Sequence, residues 1–252
     1  MTWLSKLKKK AAEGVEDVST NFPKNDDLKA AIESFSDGDL TQVILETLKK
    51  GIEEAVERLA SADGFFGDEK VKIPLPDAVL RLQSVLEAAG QNEKANELSL
   101  ALNRAAEKAV AISTEIFLHA LSVLSLDDVR NIVAGTDDAA TKYLEDSSRD
   151  DLFDKFKPLV NQATQDVGAA DALRNLDSAL DKGEETGGIF GMAADMVQNQ
   201  LGLDNFDLDE FVASKALDGL FIKIKEIEAH VRANPTAAAS DLASQVFSAL
   251  QQ

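Results

Sequence analysis

On a helix, polar side chains three or four residues apart share one face, and three groups in this chain have that spacing. Glu115 lies four residues before His119, in a stretch that is otherwise apolar. A buried carboxylate–imidazole pair can tune a general base or hold a metal. Di-metal bundles, however, use Glu-x-x-His with further carboxylates on neighbouring helices, and no His-Glu-x-x-His motif occurs. Glu115 and His119 are therefore the weaker candidates, and a structural or solvent-facing pair is the favoured reading. His230, the other histidine, falls near a helix end, where a cation suits the dipole.

The second group is Asn103, Arg104, Glu107 and Lys108, set among Ala105, Ala106 and Ala109, whose small side chains let another backbone come close. Lys215 and Asp218 form the third, beside Gly219. That glycine costs a helix interior about 1 kcal/mol relative to alanine, so a close helix crossing is the reason expected for it. The assembly reading joins Arg104, Glu107, Lys215 and Asp218 in an ion-paired crossing of two core helices. The functional reading makes these residues, with Asn103 and Lys108, the polar floor of a ligand cavity, where Arg104 or Lys215 receives a carboxylate or phosphate head.

Other chemistry finds little footing. The chain has no cysteine, which excludes disulfides, thiolate metal sites and cysteine nucleophiles. Asp137 and Asp138 fill a helix start that could otherwise bind an anion. No glycine loop follows a strand, no acidic run has calcium-loop spacing, and no Ser-His-acid set can be ordered. Neither a cofactor nor an enzyme signature is expected.

Charge narrows the partners. With 26 basic and 45 acidic residues the formal charge is −19, a surface that repels phosphate backbones and disfavours nucleic acid. Against that trend, residues 1–10 carry Lys6, Lys8, Lys9 and Lys10 and no acid. Leu4, Leu7, Ala11 and Val18 share one helical face, with Trp3 beside them. This amphipathic helix, residues 1–22, either lies on an anionic membrane with Trp3 at the interface or docks on its own acidic body. It has no apolar h-region of a secretory signal, so a cytoplasmic location is expected, peripheral at the membrane if the helix binds there.

The elements that must position these groups are helical. Hydrophobic residues make up 44% and aromatics 6%, with Ala and Leu ahead of the β-branched types. The stretch 92–125 has no Pro or Gly, and from Val110 onward it is apolar on nearly every side. It is expected to run as one central helix, about 92–124, enclosed by the rest; Glu115 and His119 argue against its crossing a membrane. Around it the spacing predicts helices at 26–35, 40–60 with Asp39 as cap, 77–89, 126–134, 137–147 capped by Thr136, and 149–167 kinked or split at Pro158. Further helices are expected at 169–181, 192–201 and 208–233, the last capped by Asp207. Asn234-Pro235 then turns the chain into a final Ala-rich helix ending near Leu250. Residues 71–76, with Pro74 and Pro76, read as an extended strap rather than a strand. The organisation expected is an all-α multi-helix bundle, one domain over 26–252 with a loose Gly-rich segment at 183–191.

Several of these runs carry a resemblance: Asp63-Gly64-Phe65, Ile73-Pro74-Leu75-Pro76, residues 103–110, Gly135-Thr136-Asp137-Asp138-Ala139-Ala140-Thr141, Phe156-Lys157-Pro158-Leu159-Val160 and residues 215–221. In that order, over about residues 40–250, the chain resembles the bacterial family catalogued as domain of unknown function 4197. The resemblance implies a helical protein with no assigned activity and no catalytic residues to carry over; members commonly begin with a secretory signal, which would allow a periplasmic location. Three functions are weighed. The first is a non-enzymatic binding protein for an apolar small molecule or an anionic membrane surface, with Ile189, Phe190, Met192 and Met196 as an apolar lid. The second is a scaffold whose acidic face meets a basic protein partner. The third is an enzyme using Arg104, Glu107, Lys215 and Asp218.

Overall fold

A computed structural model describes residues 30, 32–81, 87, 92–122, 129–172, 174–175 and 207–250. Its helices are α1 (Asp37–Leu59), α2 (Asp77–Arg81), α3 (Asn92–Ala111), α4 (Thr114–Ser122), α5 (Val129–Ala134), α6 (Ala139–Asp166), α7 (Leu208–Ala233) and α8 (Asp241–Leu250), with a 3-10 turn at Pro235–Ala237 before α8. No strand occurs among the described residues, and the all-α bundle expected from composition is the fold found. No helix of the described residues is long and apolar enough to cross a membrane. The helix expected over 1–22, the first residues of the helix expected at 126–134, the helix at 192–201, the Gly-rich segment 183–191 and the Ile189–Met196 lid lie outside the described residues.

The centre of the bundle is not where the apolar pattern suggested. α7 packs along both α1 and α6, and its buried residues extend well beyond one stripe to include Gly219, Lys223, Glu228 and Arg232. α1 also meets α3, α4, α5 and α8. The stretch 92–125, expected as one enclosed helix, is two. α3 ends at Ala111, and the chain turns through Ile112 and Ser113 before α4 begins.

The reason lies at Ser113. Its hydroxyl donates to the Val110 carbonyl at 2.8 Å, and its amide bonds the same carbonyl at 3.1 Å, a tighter turn than the α-helix. Such local bonds let serine compete with helix continuation. The turn re-aims the chain so that Phe117 is fully buried while Ile112 is left 57% exposed. Phe117 meets Phe156 of α6 edge-on, ring centres 6.3 Å apart, a favoured aromatic geometry.

Helix ends differ from the sequence reading in two further places. α1 is capped by Ser36, whose hydroxyl accepts from the Asp39 amide while the Asp39 carboxylate accepts from the Ser36 amide, so Asp39 is the third-residue partner of a capping box rather than the cap. α6 is continuous where two helices were expected. Ser147 and Ser148 donate to the Tyr143 and Leu144 carbonyls, both at 2.5 Å, and stay helical. Pro158 sits inside the same helix, its cost of about 3 kcal/mol set against the full burial of Phe156 and Val160 on either side. Asp207 caps α7 as expected, accepting from the Glu210 amide at 2.8 Å.

Candidate functional site

Helix α3 is Ala-rich and carries two faces. Leu98, Leu102, Ala105, Ala106, Ala109 and Val110 are buried against the bundle. The other face presents Glu97, Leu100, Ala101, Arg104, Lys108 and Ala111, which recur at helical spacing and line one wall of a groove of about 540 Å³. The facing wall is Ala60 and Ala62, just beyond α1, and Val167 at the end of α6. Short side chains on both walls leave the space open, and Leu100 in its floor is 40% exposed, unusual for a large apolar residue in this fold.

Charges sit at the rim of this groove. Lys108 pairs with Asp166 at 3.0 Å, Arg104 with Asp63 at 2.7 Å, and Lys94 with Glu97 at 3.0 Å. These are exposed pairs of the kind worth only about 0–1 kcal/mol, so either partner can be shared with an incoming charge. Asp63 holds a left-handed backbone, φ 63°, which aspartate tolerates better than most residues. That conformation turns its carboxylate toward Arg104. Gly64 follows under tighter constraint, because a Cβ there would lie 2.5 Å from the Arg58 and Leu59 carbonyl oxygens.

Beneath the rim, α3 clamps the whole connection from Phe65 to Pro76, a longer strap than the extended run 71–76. The Glu107 carboxylate is buried, accepts from the Phe65 amide at 3.3 Å and takes the Arg104 guanidinium at 2.6 Å. This hydrogen bond from Arg104 to Glu107 is the main reason the Arg104 pKa is raised. Asn103, fully buried, accepts from the Ile73 amide at 2.8 Å and donates to the Ile73 carbonyl at 3.0 Å. One side chain thus satisfies both backbone groups of the strap residue just before Pro74, where no sheet neighbour exists to do so.

The third polar group stands elsewhere. Asp218 bonds Arg149 of α6 and pairs with Lys215 at 3.5 Å, while Arg149 also holds Glu145 at 2.5 Å. The expected crossing of Arg104 and Glu107 with Lys215 and Asp218 is therefore not formed; their partners are Asp63 and the strap in one case and α6 in the other. Gly219 likewise does not serve a helix crossing. A Cβ on it would lie 2.8 Å from the Phe65 ring and 3.3 Å from Val71, so the glycine admits the strap. The close helix crossing belongs to Gly51, where a Cβ would meet Ile224 at 3.1 Å.

Glu115 and His119 both face outward on α4 rather than forming a buried pair. Among the described residues no group of three or more His, Asp and Glu side chains converges. Trp3, Leu4, Lys6, Leu7, Lys8, Lys9 and Lys10 lie outside the described residues.

Two residues that spacing did not single out form the most enclosed ion pair among the described residues. Glu228, 1% exposed, accepts from the Ala140 and Thr141 amides at 3.0 and 2.8 Å and from the Thr141 hydroxyl at 2.6 Å. It caps α6 in place of Thr136; the adjoining Asp138 makes no side-chain cap bond. Arg232 bonds Glu228 and donates to the Val133 and Ile132 carbonyls at 2.9 and 3.1 Å, closing the end of α5. The signal available was an acid and a base four apart at the edge of an apolar stripe, Ile224-Ile227-Val231.

The family model described as protein of unknown function (DUF4197) matches residues 34–248, and the chain belongs to that family. No curated protein matches the chain, and no solved structure does.

Proposed function

We propose that this family member is a non-enzymatic binding protein whose groove along α3 takes an apolar, lipid-like molecule. The tail lies over Leu100, Ala101, Ala111 and Val167, and an anionic head meets Lys108 and Arg104 at the rim. The observation that carries this reading is the pairing of an apolar floor with rim cations in a space of about 540 Å³, within the range of small-molecule sites. Catalysis is less well supported by the same residues, because Asn103 and Glu107 are committed to the strap.

Titration with a dansyl-labelled undecanoic acid tests the proposal. The wild type should bind saturably at one site with a blue-shifted emission, and Ala101→Trp, which fills the groove, should weaken binding at least about tenfold, or about 1.4 kcal/mol. Ala101→Ser serves as the control that keeps the space. Absence of saturable binding, or equal affinity in Ala101→Trp, contradicts the reading.

A further inference from the structure

We infer that the groove along α3 is the docking site of this chain's own residues 1–11, so that the N-terminal segment and a lipid-like ligand compete for one floor; the competition rests on the ligand reading above, and the docking does not.

The first support is apolar complementarity. The groove face of α3 runs from Leu100 through Ala101 to Ala111, and Ile112 continues it, 57% exposed. Residues 1–11 carry Leu4, Leu7 and Ala11 at helical spacing with Trp3 beside them, an apolar stripe that an acidic protein must cover or hide. An amphipathic helix in an apolar groove is a recurring mode of peptide recognition.

Charge points the same way. The segment brings Lys6, Lys8, Lys9 and Lys10 without an acid. The carboxylates of Asp63, Glu97 and Asp166 stand around the groove, 58%, 46% and 47% exposed. Each is held only in a surface pair and can accept a second cation. Segment and ligand thus use opposite rim charges but the same Leu100–Ala111 floor.

Chain length permits the contact. The chain enters the described body beside Arg130, which bonds the Ile32 and Phe35 carbonyls. From there α1 runs 23 residues, about 35 Å, to Ala60 in the groove wall. Ala30 already belongs to the body, its carbonyl accepting from the Ser34 amide, and residues 12–29 can span roughly 60 Å when extended, well beyond the distance. A tether of this length holds the segment near its site at an effective concentration on the order of millimolar, so weak docking is enough.

The 252-residue chain has no cysteine, which makes a disulfide test clean. In dilute solution under mild oxidation, Leu7→Cys/Leu100→Cys should close within one molecule at least about tenfold faster than Leu7→Cys/Leu80→Cys. Leu80 is a fair control, being 42% exposed and outside the groove lining. Trp3, the sole tryptophan, should emit at a blue-shifted wavelength in lipid-free buffer and move red in Leu100→Glu. Equal closure rates overturn the docking, as does linkage only between two molecules. A Trp3 spectrum that stays water-like until anionic vesicles are added also overturns it, in favour of membrane contact. Equal closure rates alongside a dansyl signal lost in Ala101→Trp remove the docking and leave the ligand site. Selective closure without dansyl binding keeps the docking and removes the competition.

Discussion

Glu228 and Arg232 join three elements through two side chains. Their mutual contact at 2.8–2.9 Å closes one helix start and one helix end, which leave unpaired amides and carbonyls unless something caps them. Removing one member of a buried pair leaves the other charge uncompensated. Glu228→Ala is therefore expected to lower unfolding free energy by about 3–5 kcal/mol in urea titration at pH 7; a loss below about 1 kcal/mol contradicts this role. Asp138, next to the same corner, differs. Burial alone would raise its pKa, but hydrogen bonds from Lys225, Thr136 and Lys142 outweigh burial and hold it well below the usual carboxylate range. A folded-state pKa below the unfolded value means stability that is complete above about pH 5 and fades as pH falls through the folded value. Asp138→Asn should cost about 1–3 kcal/mol at neutral pH, and the gap from wild type should shrink steadily below about pH 4. A gap independent of pH would show that the charge is not what matters. Spacing alone could pair Glu228 with Arg232 four residues on, but the amides that Glu228 caps and the Lys225 that reaches Asp138 lie far away along the chain; Asp138 was noticed for its position at a helix start.

Among the elements, the strap depends most on side chains from elsewhere. Phe65, Val71 and Ile73 are buried, Asn103 and Glu107 hold its backbone, and Lys223 of α7 reaches Asp68 at 2.6 Å. That bond from Lys223 keeps the Asp68 pKa low. Gly219→Ala should drive its methyl into the Phe65 ring, with a loss of about 1–3 kcal/mol from overpacking, and Phe65→Leu in the same chain should recover part of it. A neutral Gly219→Ala would mean that the strap shifts freely. The strap's extended character was legible in its two prolines, and Asp207 was legible as a cap from its place before an acidic first turn. The break at Ser113 and the unbroken run through Ser147, Ser148 and Pro158 were not. In each case a serine bonding back to a carbonyl gave the same local signal, and tertiary packing of Phe117 or Phe156 decided the outcome.

Across the whole molecule, the helical class followed from composition, while the centre did not. A stretch apolar all round marked 92–125 as the spine, yet its outer residues Leu100, Ala111 and Ile112 are exposed, and α1 and α7, packed on each other, share the central place. An exposed apolar strip on a body of charge −19 is the feature from which the functional account grows. Of the residues singled out for a ligand site, Arg104, Glu107 and Lys108 line the groove, Asn103 lies beneath it, and Lys215 and Asp218 belong to another face. Glu107 and Arg104 serve the strap as well, so the groove and the fold share one set of side chains. The direct measurement is methyl NMR of the 252-residue chain titrated with undecanoate. The account predicts that the methyls of Leu100, Ala101 and Ala111 shift together and saturate at one equivalent while Leu80 stays still. Shifts centred on Leu80 or spread evenly over the surface, or no saturation at α3, would contradict it.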